Sequence, residues 1–173
     1  MARSTAGMHT MLQEDERTTR ATCSPVRTTE LILNDEYCDK VIEFVKDAQS
    51  EIRMCAYAWR WYVNEPGIGI QRLNIELLRA VKRGVVVRVL TDTIAMNTYF
   101  TTLGFRCRHV DRTKMQHSKV IAVDHKTLIV GSHNFTKRAQ TDNYEASIAV
   151  QDFEVVAQFT TYFDRLWETS HDS

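Results

Sequence analysis

From residue 30 onward, short apolar runs alternate with stretches in which apolar residues recur every three or four positions. Runs of the first kind read as buried strands, and stretches of the second kind as amphipathic helices. "TTELILND" gives a short strand and a turn, and "EYCDKVIEFVKDAQ" a helix with Tyr37, Val41, Phe44, Val45 and Ala48 on one face. "EIRMCAYAW" is a buried strand, and "RWYVNEPGIG" a loop broken by Pro66 and Gly67. "IQRLNIELLRAVKRG" predicts a helix with Ile75, Leu78 and Val81 along one face, ended by Gly84. "VVVRVLTD" then reads as a strand, "TIAMNTYFTTLG" as a short helix and "FRCRHV" as another strand.

Two strands, 118–123 and 127–131, follow around a tight turn at Asp124–Lys126. "NYEASIAV" is the last strand, and "DFEVVAQFTTYFDRLWET" a long helix with Val155, Val156, Phe159, Tyr162, Phe163 and Leu166 as its core stripe. Strands alternating with helices and then a hairpin predict a single-domain α/β sandwich, a mixed β-sheet flanked by helices on both faces. Residues 1–29 are rich in Thr, Arg and acids without periodicity. They read as a flexible arm, with one short helical turn around 8–17, ahead of a domain over 30–173.

Composition changes this picture little. At 173 residues and 43% hydrophobic the chain supports one core, and its net charge of zero points to no polyanion or membrane surface by itself. The distribution is less even: between Phe105 and Arg138 eight Lys or Arg face two acids, a local charge of +6 balanced by −6 elsewhere. That segment suits an anionic substrate. Cys23, Cys38, Cys55 and Cys107 form no C-x-x-C pair and read as free thiols of a reducing compartment. The N-terminus has no apolar signal region and no run is long enough to span a bilayer, so a cytoplasmic chain without stable membrane association is expected.

The candidate chemistry lies in "HSKVIAVDHKTLIVGSHN", residues 117–134. On a strand, His117 and Lys119 project from one face, while Ser132 and Asn134 share a parity at the end of the next. An imidazole, an ammonium, a hydroxyl and an amide together suit a tetrahedral oxyanion. His109, His117, His125 and His133 fall eight apart, but they are spread over separate elements with no Cys or carboxylate spacing to complete a zinc set, so no metal site is expected.

These residues resemble the phospholipase D, or HKD, superfamily. "HSKVIAVD" fits H-x-K-x-x-x-x-D, "GSHN" fits G-S-x-N, and "NYE" supplies the downstream acid. "IRMCAYAW…LLRAVKRGVVVRVLTD" is similar to the strand–helix–strand ahead of the motif, so the likeness covers roughly residues 30–170. The resemblance implies a phosphodiesterase that needs no metal or other cofactor. His117 would attack phosphorus to form a phosphohistidine, or protonate the leaving oxygen; Lys119 and Asn134 would hold phosphate oxygens. Ser132 and Glu145 would support them, the carboxylate orienting an imidazole, and Asp124 would fix the turn.

The chain carries one motif where the chemistry needs two histidines. As in the family's short members, a homodimer sharing one site is therefore expected. Nucleic acid, DNA or RNA, is the expected partner. Small phosphodiesters, nucleotides or phospholipids are the alternative substrates, and a non-catalytic nucleic-acid-binding module the alternative role. His133, Tyr57 and Trp59 are further expected substrate contacts. Trp59, just before the long "RWYVNEPGIGIQRLN" loop, and Trp61 and Tyr62 within it form either a stacking wall over the site or part of the core or dimer seam.

Overall fold

The computed structural model describes residues 28–92, 94–110 and 114–172. The expected arm and its helical turn lie outside these residues, except that the first strand starts at Thr28. Eight strands form one sheet: β1 (Thr28–Leu33), β2 (Glu51–Ala56), β3 (Val86–Thr91), β4 (Arg106–His109), β5 (Lys119–Val123), β6 (Thr127–Gly131), β7 (Ala146–Gln151) and β8 (His171–Asp172). Their order across the sheet is β1-β7-β6-β5-β2-β3-β4-β8. β2, β3 and β4 run parallel, because α2 (Gly69–Lys82) and α3 (Ile94–Thr102) cross over between them. The remaining pairs are antiparallel, so the sheet is mixed, as expected.

Alternation along the strands makes two cores. Ile52, Met54, Ile121, Val123 and Ile129 face the side covered by α1 (Glu36–Asp47) and α2. Cys55, Val120, Ala122 and Leu128 face α5 (Phe153–Thr169). Each fully buried aliphatic side chain contributes roughly 1.5–3 kcal/mol, which outweighs the entropy of fixing it. Thiols share this interior: Cys38, Cys55 and Cys107 are free and buried, and burial pushes each up to about 12.

Three expectations shift. On α2 the fully buried face is Ile70, Leu73, Leu77 and Ala80, whereas Ile75, Leu78 and Val81 are half-buried beside it. On α5 only Val156 and Phe163 of the expected stripe are fully buried; Val155 and Tyr162 are 40% and 49% exposed. A five-residue helix, α4 (Lys137–Thr141), was not expected from the sequence; Thr136 caps it by accepting from the Ala139 N–H. It is too short to show a helical period.

The β5–β6 turn takes three residues, Asp124 to Lys126, between the paired Val123 and Thr127. Asp124 and His125 take φ of 50° and 54°, and the Lys126 N–H donates to the Val123 carbonyl at 2.9 Å. Two consecutive left-handed residues match the right-handed strand twist, and Asp tolerates that conformation better than most. The turn places Lys119 and Gly131 at the opposite end of the sheet, where β2 and β3 also finish.

Candidate active site

At that end the strands stop and the functional side chains begin. His117 lies two residues before β5 and is exposed; Ser132 and Asn134 follow β6. The Lys119 Nζ lies 3.1 Å from His117 Nδ1, 3.3 Å from its Nε2, and donates to its carbonyl at 2.7 Å. Near-equal reach to both nitrogens puts the ammonium over the imidazole face, since an in-plane approach would drive it into Cε1. Lys119 therefore does not take the in-plane direction of either nitrogen. Tyr57, immediately after β2, packs against the other two: its ring is 4.4 Å from the His117 ring and 4.9 Å from Lys119 Nζ.

Glu145 closes the ledge from the β7 side. It accepts from the Ser132 hydroxyl through one carboxylate oxygen, and from Asn143 Nδ2 at 2.8 Å through the other. Burial lowers the Lys119 ammonium below its ordinary value, while the nearby Glu145 carboxylate pulls it up by less. Among the described residues Glu145 does not hydrogen-bond His117, so the expected carboxylate–imidazole contact is not made within one chain. Asn134 Oδ1 is buried without a partner among the described residues, an orphan acceptor of the kind that calls for an explanation. Gly131 is required for this crowding: a Cβ there would collide with Ser147 and with the Ala146 carbonyl.

Residues unmarked by the sequence reading hold the ledge in place. Asn34, in the left-handed region at φ 46°, donates its N–H to the Glu145 carbonyl and accepts the Glu145 N–H on Oδ1, both at 3.0 Å. Gln116 is buried beneath His117; its Oε1 accepts from the Ser118 N–H at 2.9 Å and its N–H donates to Asp92 Oδ2 at 2.7 Å. The only signal for Asn34 was the turn-forming pair Asn34–Asp35.

A family model described as "Cardiolipin synthase, PLD-like domain" matches residues 41–167. The chain belongs to the phospholipase D superfamily. Proteins named mitochondrial cardiolipin hydrolase are 35% (Mus musculus) and 33% (Homo sapiens) identical over 127 residues, covering 70% of this chain. The chain spans about half the length of those relatives, 53% and 47%. A Rickettsia conorii protein named phospholipase D is 30% identical over 159 residues, 87% of this chain and 70% of its own. Among solved structures, the phospholipase D family member Nuc from Salmonella typhimurium superposes with a TM-score of 0.72 at 26% identity, over 86% of this chain and 99% of that one. NucT from Helicobacter pylori shares the fold at 15% identity and the same TM-score.

Within this phospholipase D fold, several expected site residues fall elsewhere. His133 is fully buried and points away from the ledge, stacked on Tyr37 at 4.2 Å. Its Nε2–H donates to the Asn34 carbonyl at 2.9 Å and its Nδ1 accepts from Ser147 at 2.8 Å. Burial accordingly holds its imidazole below the ordinary value, against smaller raising effects of the Asn34 carbonyl and Glu145. Its place among substrate contacts is corrected to packing, because alternation carries the residue between Ser132 and Asn134 inward.

Trp59 is likewise core. It stacks on Phe100 at 3.5 Å and donates to Asn74 Oδ1 at 2.8 Å. Trp61 and Tyr62 pack partly on the same core, and the Tyr62 hydroxyl accepts the Lys137 N–H at 2.8 Å. The long loop thus braces the Asn134 segment from behind, which resolves the choice between wall and core for Trp59.

Asp124 lies at the far end of the hairpin. Its carboxylate accepts from the backbone N–H groups of Gln49, Ser50 and Glu51 and from the Ser50 hydroxyl, at 2.7–2.9 Å. Burial raises its pKa, but these donors together outweigh that and leave it below the usual carboxylate value. The basic 105–138 segment is also divided. Lys114 and Lys119 are near His117, while Arg106 and Lys126 belong to the Asp124 end and Arg108 pairs with Asp172. Arg112 lies outside the described residues. The four regularly spaced histidines occupy four separate places, and among the described residues no group of three or more His, Cys, Asp or Glu converges as a metal site would. No helix among them is long and apolar enough to cross a membrane.

Proposed function

We propose that the protein is a homodimeric, metal-independent phosphodiesterase, a nuclease, in which two copies of the ledge face one phosphate. The observation that carries this reading is the half-set: one exposed imidazole with one ammonium over it, where a phosphorus atom needs an imidazole on each side. His117 attacks phosphorus through a ring nitrogen as the ester oxygen leaves and takes a proton from the second copy's His117. Water then attacks the phosphohistidine, loses its proton to that second imidazole, and releases His117. Lys119 and Asn134 hold the non-bridging oxygens, whose charge grows in the transition state.

A surface for the second copy adjoins the ledge. Leu31, Ile148 and Val130 stand opposite one another across β1, β7 and β6, on the sheet face that α5 leaves uncovered. Leu31, Leu33 and Val130 are 63%, 42% and 37% exposed. The next row runs from Leu33 through Ala146, which is hydrogen-bonded to Ser132. A second chain covering that strip would bury apolar surface and bring its own His117 toward the same phosphate.

Nucleic acid is favoured by the open, polar ledge with Lys114 and Lys119 flanking His117, a form suited to a backbone passing across it. The relatives named cardiolipin hydrolase favour a second reading, a phospholipid diester at the same ledge. Incubation with labelled single- and double-stranded DNA and RNA and with cardiolipin vesicles, all in EDTA, separates the two. Cleavage of a polynucleotide by a species of dimer mass is expected. Hydrolysis of cardiolipin alone would replace the nuclease reading, and full activity from a monomer would remove the shared site.

A further inference from the structure

On the α5 side of His117 lies a cleft of about 650 Å³, within the size range of sites that enclose small organic groups. Val110, Met115, Tyr162 and Leu166 supply an apolar wall, and Lys114 and Ser118 a polar margin. His117 itself lines the opening. It therefore stands between the cleft and the Lys119–Ser132–Glu145 ledge, and a group esterified to a phosphate on that ledge reaches the cleft directly.

The lining selects among such groups. An acyl chain needs walls that are apolar all round, and this lining mixes its apolar residues with Lys114, Gln116, Ser118 and Thr169. A flat heteroaromatic ring matches both halves, with its face on Tyr162 and Leu166 and its edge toward the polar margin. Tyr162 and Met115 are 49% and 65% exposed, apolar surface held open beside a reactive imidazole. The Tyr162 ring rests against Phe159, with centroids 6.3 Å apart, which limits its orientations. Met115 has the freedom to adapt to rings of different size. The base of the cleft is rigid, because the Gln116 N–H is tied to Asp92 and its side chain to the Ser118 N–H.

We propose that this cleft is a base pocket: it takes the nucleobase next to the scissile phosphate, Tyr162 stacks on it, and Lys114 meets the neighbouring backbone phosphate. The inference rests on the nuclease reading and adds to it that an unpaired strand is favoured at this position, since a paired base enters the cleft only by breaking its pair and stack.

The test uses the full chain and two single-stranded oligonucleotides, one fully base-bearing and one with a single abasic residue, with cleavage positions mapped. Expected is a loss in kcat/KM of about 10-fold for Tyr162→Ala on the base-bearing strand, the size of one base–aromatic stack, with Tyr162→Phe close to wild type. Wild type should lose a similar factor at the linkage beside the abasic residue, where Tyr162→Ala loses nothing more. Met115→Ala, at a position too exposed to matter for folding, should show the same pattern more weakly and serves if Tyr162→Ala does not fold. Equal losses on both strands, or none, would overturn the pocket while leaving the nuclease reading intact. A wild type that cleaves neither strand overturns both. A Tyr162→Ala chain that has become monomeric by light scattering makes the cleft a contact between copies and overturns the pocket alone.

Discussion

The two ends of the β5–β6 hairpin carry similar side chains and use them in opposite ways. At the turn, the Asp124 carboxylate accepts four hydrogen bonds from residues 49–51. A few residues away, Arg53 and Arg88 both meet Glu51 and Asp164, locking α5 to β2 and β3. At the other end, the Lys119 ammonium lies over the exposed His117 ring and donates to the carbonyl of its own segment, and among the described residues Asn134 Oδ1 has no partner. Saturated polar groups hold a structure together, whereas groups left without partners cost stability and are retained where function needs them.

The comparison makes graded predictions. His117→Ala should lower phosphodiester turnover on the order of 10⁴-fold or more while leaving the melting temperature unchanged; a comparable loss of both would make His117 structural. Leu31→Asp, which charges the uncovered sheet face, should convert dimer to monomer in sedimentation and lower activity about 100-fold. An active Leu31→Asp dimer would move the interface elsewhere.

Asp124→Asn reverses the pattern. It turns one acceptor into a donor facing the Gln49 N–H, so it should cost about 2 kcal/mol of stability in denaturant titration with turnover per folded molecule unchanged. The sign with pH follows from its lowered value. The Asp124 contribution is present above the unfolded carboxylate value near about 4 and is lost as pH falls through the lower folded value. The Asn variant should therefore unfold in acid with a shallower slope.

The smallest effect belongs to His133, whose folded value is depressed by burial. The unfolded chain takes up the proton first, so stability should fall as pH drops from about 6.5 toward the lower folded value. A His133→Asn chain should lack that part of the slope in thermal melts at pH 5 and pH 7. An unaltered slope would assign the dependence to another group.

Much of this was legible in the sequence, because the signals were local. β2, β3 and the β5–β6 hairpin follow from apolar runs and a turn, and α1 from an unambiguous helical face. His117 and Lys119 were placed together by strand parity alone, and the structure keeps them in contact. His133 was expected to meet substrate although its parity is opposite to that of Ser132 and Asn134, and it turns inward as that parity requires. The site roles of Asn34, Gln116 and Asp92 were hidden for a different reason. Asn34 meets Glu145 across 111 positions of sequence, and no periodicity encodes such a contact. The cleft beside Tyr162 was hidden in the same way, since α5 meets the approach to β5 only in the folded chain.

The central claim is that His117 is the nucleophile, and it is open to direct trial. Dimeric protein mixed with a phosphate-labelled oligonucleotide, quenched within one turnover and digested with a protease under alkaline conditions that preserve phosphohistidine, should carry the label on the His117 peptide, one per two chains. Turnover without any labelled histidine, or label on a different residue, would contradict the account.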